Sequence, residues 1–369
     1  MEIIHLILGK ANPDRMNGVN KVVYQLTTQQ AIAGRKVSIW GISKNTEHNY
    51  GERNFETRLF QAYRNPFKID KKLKEDLKSI KGKAIIHIHG GWIPVYSSLA
   101  TFLHKHSIPF VLTPHGAYNT IAMNRSGQMK KFYFQFFEKK MLQKVSKIHS
   151  LGESEIEGLN GVFPNTKSIL IPYGFERIDF ELNKDNKSAD FIIGFVGRLD
   201  IYTKGLDLLV EAFGQFKSKV NNTKLWIIGD SEEKSKLESI IKEKHIENEV
   251  VLFGSKFADE KNELIQQMSI FVHCSRNEGL PTAVLEAASF GVPCVVTNAT
   301  NVTSYVNKFN SGISIKDENV SELTDAFEKF YDVWQKNEIT EIQLNAQKMV
   351  KEAFNWKKVV ENFDILYKI

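Results

Sequence analysis

The sequence predicts an α/β protein built from two parallel-sheet units. Three observations carry that expectation. Short apolar runs alternate with helical apolar spacing along the chain, the pattern of parallel strands covered by helices on both faces. The chain has 369 residues, more than one ordinary core organises and enough for two domains. A polar stretch at 176–190, ERIDFELNKDNKSAD, interrupts the alternation near its middle.

In order, Glu2–Leu8 reads as a strand and residues 19–33 as a helix, on the spacing of Val19, Val22, Val23 and Leu26. Strand-like runs follow at 36–40, 84–88, 110–112 and 168–171. Past the polar stretch they resume at 191–196, 224–228, 250–253, 270–273 and 293–296. A final helix is expected over 355–367, where Trp356, Val359, Val360, Phe363 and Leu366 have helical spacing. These patterns place an N-terminal domain at 1–176, a linker at 177–190, a C-terminal domain at 191–354 and a closing helix at 355–369.

Composition bounds the function. Hydrophobic residues make up 42% and charged residues 25%, which excludes a disordered chain. No run of apolar residues is long enough to span a membrane. The start, MEIIHLILG, has an acid at position 2 and reads as a strand in preference to a secretory leader. Two cysteines, Cys274 and Cys294, make no disulfide framework and set the expectation of a reducing cytoplasm. The net charge of +6 suits an anionic small substrate or an anionic membrane face, and by itself is too small to argue for nucleic acid.

Ligands of open α/β sheets bind at the carboxyl ends of strands, and the chemistry-bearing residues follow strands directly. In GFVGRLDIYTKG, Arg198 and Lys204 stand at a strand-to-helix turn opened by Gly197, where free backbone N–H groups and two cations make an anion site. On these residues alone the solvated-loop reading of the same cations is favoured over the anion site. In SRNEGLPTAVLEAASFG, Glu278 precedes a helix whose first turn suits Pro281, and Glu286 lies within that helix. A span of roughly 12 Å between them, at 1.5 Å per helical residue, is too wide for the paired acids of a glycoside hydrolase and suits two ends of one extended ligand. Glu286 lies among small and apolar residues, so its carboxylate needs a partner.

In the first half, Gly18 opens the first helix and permits close approach of backbone to a ligand. The fragments HIHGGW (His87, His89, Gly90, Gly91, Trp92) and TPHGAY (His115, Gly116) follow strands. His87 and His89 share a strand face, yet no third ligand stands at a telling spacing, so hydrogen bonding to a polar ligand is expected over a metal, and a plain structural role stands as an equal reading for His87. Residues 128–147 form a basic, aromatic helix. Phe134, Phe137, Met141 and Val145 are expected in the core, with Phe132, Phe136, Lys139, Lys140 and Lys147 on the other side. That outer face suits an anionic membrane, and equally a solvated basic surface.

Gly18, TPHG at 113–116, GRLDIYTKG at 197–205 and EGLPTAVLE at 278–286 together resemble the retaining glycosyltransferases of family 4, across essentially the whole chain. The resemblance implies the GT-B fold, two Rossmann-like domains facing a central cleft, with the last helix crossing back to the first domain. It implies a nucleotide-sugar donor on the C-terminal domain and an acceptor on the N-terminal one. By position, Arg198 and Lys204 would neutralise the donor diphosphate and stabilise its departure. Glu286 would hold the ribose hydroxyls and Glu278 the donor sugar. Backbone N–H groups of Gly279, Leu280 and Thr282 would assist at sugar and phosphate. Gly18 would let its loop close on the phosphates, and His115 would approach the reacting centre. His89, Gly90 and Trp92 are expected toward the acceptor. The first loop carries Asn17-Gly18 in place of Gly-Gly, the segment 297–305 lacks a common acid, and Tyr173 replaces a common Asn.

No Asp-X-Asp occurs, so no metal and no cofactor are expected beyond the donor itself. The expected partners are a nucleotide sugar, UDP-linked in preference to GDP-linked, a glycan or lipid-linked acceptor, and an anionic membrane surface, without nucleic acid. The competing readings are a GT-B phosphorylase, a nucleotide-sugar epimerase and a non-catalytic sugar-nucleotide sensor. No strand is followed by G-x-G-x-x-G, which disfavours a dinucleotide oxidoreductase.

Overall fold

The computed structural model describes residues 1–12, 18–118, 127–176, 180–182 and 188–369. Most of the 177–190 linker and Asn17 lie outside the described residues. The chain divides into two compact units, one of Met1–Gly174 with Trp356–Ile369 and one of Phe175–Asn355.

The first unit holds a seven-stranded sheet. Its strands are β1 (Glu2–Leu8), β2 (Val37–Ser43), β3 (Glu56–Gln61), β4 (Ala84–His89), β5 (Phe110–Thr113), β6 (Lys147–Ser150) and β7 (Ser168–Leu170). They pair in the order β3-β2-β1-β4-β5-β6-β7, all parallel. The helix Gly18–Ile32 and the last helix, Trp356–Leu366, pack against each other. The Arg35–Asp364 ion pair at 2.6 Å and Lys147 Nζ, donating to the Lys368 carbonyl at 2.7 Å, tie the last helix to the same unit.

The second unit repeats the plan with β8 (Phe191–Val196), β9 (Thr223–Ile228), β10 (Val250–Gly254), β11 (Ile270–His273), β12 (Cys294–Thr297) and β13 (Gly312–Ile315). Their order is β10-β9-β8-β11-β12-β13, again all parallel. Each sheet therefore reverses direction at a central pair, β1/β4 and β8/β11, where loops leave to opposite sides and open a crevice at the carboxyl ends.

Three strands differ from the sequence expectation, because β3, β6 and β13 were not legible as apolar runs. β3 is an edge strand whose residues alternate in exposure, so it needs few apolar side chains. β6 and β13 are four residues each and carry polar residues.

The basic segment also corrects its expectation. It is helical over Gly127–Tyr133, passes through a π turn at Phe134–Glu138, and continues as Lys139–Lys144. Phe134, Met141 and Val145 are buried, and Phe137 is half-buried. The unexpected core member is Glu138, which is fully buried. Lys147 does not share the outer helix face, because it begins β6.

Gly205 shows how tightly one turn is specified. Its φ of 67° is left-handed, and a Cβ there would collide with the Cys274 carbonyl oxygen. Gly205→Ala is expected to lower the stability of the second unit by at least about 1–2 kcal/mol, the left-handed cost alone. Thermal unfolding checks this; an unchanged midpoint would contradict the close approach.

Candidate functional site

In the second unit, β8 delivers Gly197 and then Arg198, whose exposed guanidinium has no side-chain partner among the described residues. Asp200 caps a short helical turn, Ile201–Lys204, by accepting from the Thr203 N–H at 2.9 Å. Glu233 accepts from the Ile201 N–H at 2.7 Å. Gly205 then lets this turn lie against the loop after β11, which brings Lys204 Nζ onto the Glu278 carboxylate in a mostly buried ion pair.

Glu278 is held from several sides. His273, the last residue of β11, donates Nε2–H to Glu278 Oε1 at 2.9 Å, and Ser275 Oγ lies at 3.3 Å. The Asn301 amide donates to the carbonyls of Glu278 and Gly279 at 2.9 and 2.8 Å, which fixes the EGL backbone. Burial pushes the Glu278 carboxyl up, but the His273 hydrogen bond and the Lys204 charge win and hold it at about 2. Burial also lowers the His273 pKa, against the pull of the Glu278 carboxylate. His273 was not singled out in the sequence; its position as the strand residue five before Glu278 was the available signal.

The helix Thr282–Ser289 starts from Pro281, which stands at the N-cap and not inside the first turn. No side chain caps this end. Its first N–H groups therefore lack a side-chain acceptor among the described residues, and the helix dipole adds positive potential beside Leu280 and Thr282. Glu286, within the helix, has the partner its surroundings demand: Lys261 Nζ at 2.6 Å, both side chains about four-fifths buried. Lys261, from the helix Ala258–Gln266, was not anticipated.

In the first unit, a Cβ added to Gly18 would enter open space, so the fold itself does not demand glycine there. The two His-Gly fragments meet in a buried polar network. Register places His5 opposite His87 and His89 opposite Thr113. His5 Nε2 lies 2.7 Å from Gln30 Oε1, and His5 Nδ1 lies 2.9 Å from His89 Nε2. His89 Nδ1 reaches His115 Nε2 at 3.0 Å. His87 contacts the Tyr367 hydroxyl at 2.8 Å and Thr113 Oγ1 at 2.6 Å, and Thr113 contacts His149 Nδ1 at 2.8 Å. His149 Nε2 ends on the Ile171 carbonyl at 2.6 Å.

His5, His87 and His89 bring ring nitrogens within 4.8 Å of one another. All six nitrogens of these rings already have protein partners, so the donor set is that of a hydrogen-bond network. Burial pulls His5 and His149 down to about 4, and pulls His87 and His89 well below the usual range.

This geometry corrects the expectation for His89. The ring is fully buried with both nitrogens engaged, so it reaches a ligand only through His115. Gly90 is buried as well. Trp92 is half-buried and spends its indole N–H on the Ala117 carbonyl at 2.9 Å, which leaves its ring face, approached by Lys130 at 4.7 Å. His115 itself is half-buried, left-handed at φ 55°, and stacks on Tyr173 with ring centroids 5.8 Å apart. Backbone strain of that kind is kept where surrounding contacts enforce it.

Two buried acids supply those contacts. Glu155 accepts from the Gly116 N–H and, at 2.6 Å, from the Leu151 N–H. Glu138, from the π turn, accepts from the Tyr118 hydroxyl and from the Trp92 N–H at 3.2 Å. Burial raises both carboxyls to about 7.

The comparisons with known proteins agree with this architecture. Residues 16–176 match the family model described as Glycosyltransferase Family 4, and residues 175–349 match the model described as Glycosyl transferases group 1. The chain belongs to the family 4 glycosyltransferases. It is 24% identical over 294 residues to the N-acetyl-alpha-D-glucosaminyl L-malate synthase of Bacillus anthracis, covering 77% of this chain and 74% of that one. It is 26% identical over 210 residues to the capsular polysaccharide biosynthesis glycosyltransferase CapM of Staphylococcus aureus, covering 52% and 51%. An uncharacterized glycosyltransferase of Methanocaldococcus jannaschii is 25% identical over 232 residues, 63% of this chain and 58% of that one. The chain thus spans little more than half the length of some of the curated relatives it matches. Among solved structures, sucrose-phosphate synthase from Thermosynechococcus elongatus superposes with a TM-score of 0.76 at 18% identity, over 100% of this chain and 98% of that one. Anabaena HepE in complex with UDP gives 0.74 at 14% identity, over 99% of each chain. Both are GT-B likenesses in fold.

The buried histidines make stability depend on pH. Their pKa values are depressed in the folded state, so the stability they confer is present above about 6.5 and is lost as pH falls toward their folded values. Glu138 and Glu155 are raised and act oppositely: their contribution is present below about 4.5 and fades as pH rises through 7. The histidines outnumber the acids, so the melting temperature is expected to fall between pH 6.5 and pH 4.5. Calorimetry across this range checks it; a flat or rising profile would contradict the neutral network.

Proposed function

We propose that this chain is a retaining hexosyltransferase. It moves a hexose-type sugar from a nucleotide sugar, UDP-linked in preference to GDP-linked, to a hydroxyl of a lipid-linked glycan in cell-surface polysaccharide assembly, O-antigen or capsule. The observation that carries this reading is the Lys204–Glu278 pair at the carboxyl end of the β8/β11 crevice, beside an uncapped helix N-terminus and the Glu286 carboxylate. A cation and oriented N–H groups meet a diphosphate, while carboxylates accept from hydroxyls of ribose and sugar.

In this mechanism the bond between the anomeric carbon and the diphosphate oxygen breaks as the acceptor hydroxyl bonds to that carbon from the same face. The hydroxyl proton passes to the departing phosphate oxygen. Arg198, Lys204 and the N–H groups of Gly279, Leu280 and Thr282 meet the leaving charge, the work assigned elsewhere to a metal. Glu278 orients the sugar and Glu286 the ribose; His115 serves at the reacting sugar. The UDP in the HepE complex and the capsular role in the CapM name support the donor and pathway class.

The acceptor side is read as the inner face of the cytoplasmic membrane. Among the described residues no helix is long and apolar enough to cross a membrane. The helix 127–144 instead exposes Phe132 and Phe136, ring centroids 4.3 Å apart, with Lys140 exposed and Lys139 half-buried beside them. Aromatics among lysines suit an anionic lipid interface.

Arg198→Ala and Lys204→Ala are each expected to reduce kcat/KM for the donor by about 2–4 kcal/mol of transition-state stabilisation. Turnover assays against a panel of nucleotide sugars check this, and wild-type rates would refute the phosphate assignment. Glu278→Gln is expected to impair transfer more than nucleotide binding; equal losses would make it a binding residue only. Replacing Phe136, Lys139 and Lys140 together by Ala is expected to reduce sedimentation with phosphatidylglycerol vesicles, and unchanged sedimentation would return the helix to a solvated surface.

A further inference from the structure

The polar network of the first unit runs in one direction, and that direction can be read from its end. A carbonyl oxygen only accepts, so the Ile171 carbonyl requires His149 to carry its proton on Nε2. With the imidazole neutral, His149 Nδ1 is then an acceptor and takes the Thr113 hydroxyl proton. Thr113 Oγ1 must accept from His87, which places the His87 proton on Nε2 and leaves Nδ1 to accept from Tyr367. Tyr367 has spent its only hydrogen, so its oxygen accepts, and Gln30 must turn its amide NH2 toward it, at 3.4 Å. Gln30 Oε1 then faces His5 and accepts Nε2–H. His5 Nδ1 in turn accepts from His89 Nε2–H, and His89 Nδ1 accepts from His115 Nε2–H.

We propose that this chain of hydrogen bonds locks His115 as the neutral Nε2–H tautomer, so that it presents a bare Nδ1 acceptor to its ligand. Every link is a donor meeting an acceptor, and reversing the chain would set two acceptors face to face at Ile171. Because the far end is a backbone carbonyl, the chain has nowhere to deliver a proton. It therefore sets the tautomer of His115 and does not act as a proton conduit. His115 Nδ1 has no hydrogen-bond partner among the described residues, and the residue is half-buried. Resting on the function proposed above, the consequence is specific. An uncharged acceptor at this position selects a hydroxyl of the donor sugar and gives nothing to a phosphate oxygen. His89, His5, Gln30, Tyr367, His87, Thr113 and His149 are positioning residues; none needs to touch substrate. Tyr367 follows the last helix, so that helix completes the circuit as well as packing on the unit.

The test is nitrogen-15 NMR of the intact protein labelled at the histidine rings, with His115 assigned by its loss in His115→Gln. The expected spectrum at pH 7 shows neutral His115 with a protonated Nε2 and a bare Nδ1. A protonated Nδ1, a mixture of tautomers, or an imidazolium in the wild type would overturn the proposal. Thr113→Val removes a hydroxyl six hydrogen bonds from His115 along the chain, and is expected to turn the single tautomer into a mixture, while Thr113→Ser keeps it single. A single tautomer in folded Thr113→Val would also overturn the lock. In turnover with UDP-glucose as probe, Thr113→Val is expected to lose about tenfold in kcat/KM, the worth of one misdirected hydrogen bond, while UDP affinity stays unchanged. The spectrum of the free protein decides the lock. Absence of UDP-glucose and UDP binding would instead count against the proposed function, so the two failures are distinguishable.

Discussion

The reversal of strand order at β1/β4 and β8/β11 is the constraint on which the rest depends. Right-handed crossovers carry helices to opposite faces on either side of that point, so no helix covers the carboxyl ends of the central strands. Loops there can be functional without costing the core. Lys204, Glu278 and the start of the helix Thr282–Ser289 gather at one reversal, and the β4 fragment of the histidine network stands at the other. Short connections make the placement rigid: Gly205 packs against the Cys274 carbonyl, and Asn301 holds the backbone of Glu278 and Gly279.

The two units solve the cost of polar burial differently. The second keeps its charges as close opposite pairs, Lys204 with Glu278 and Lys261 with Glu286, each of which retains some solvent contact. Such pairs have hydrogen-bonding capacity that an anionic or hydroxyl-bearing ligand can redirect. The first unit buries neutral imidazoles and satisfies them with one another, with Gln30, Thr113 and Tyr367, and with a backbone carbonyl. A fully satisfied neutral network avoids the desolvation of charge and specifies orientation strongly. Glu138 and Glu155 sit between these regimes, buried acids that anchor the loops carrying Trp92 and Gly116.

Much of this was legible in the sequence, for physical reasons that also explain the gaps. Central strands buried on both faces must be apolar runs, so β1, β4, β8 and β11 announce themselves; the edge strand β3 and the short β6 and β13 carry no such obligation. The EGLPTAVLE and GRLDIYTKG segments keep their function close in sequence, and Lys204 and Glu278 do meet. Long-range partners leave no local trace, so Lys261, Asn301 and Gln30 were silent, and Tyr367 read only as part of a terminal helix. His87 and His89 were visible as a strand-face pair, but their depth was not, because burial depends on the helices that later cover the sheet. Glu138 sat in a run of lysines and aromatics that reads as surface, and the π turn that carries it inward has no sequence signature as plain as a helical period.

The central claim is that the second unit binds a nucleotide diphosphate through fixed protein cations and N–H groups. Titration calorimetry of UDP and GDP into the purified chain, with and without magnesium, tests it most directly. The account predicts that one of them binds without magnesium and that Lys204→Ala abolishes this binding. Binding of neither nucleotide, or binding that requires magnesium and ignores Lys204→Ala, would contradict it.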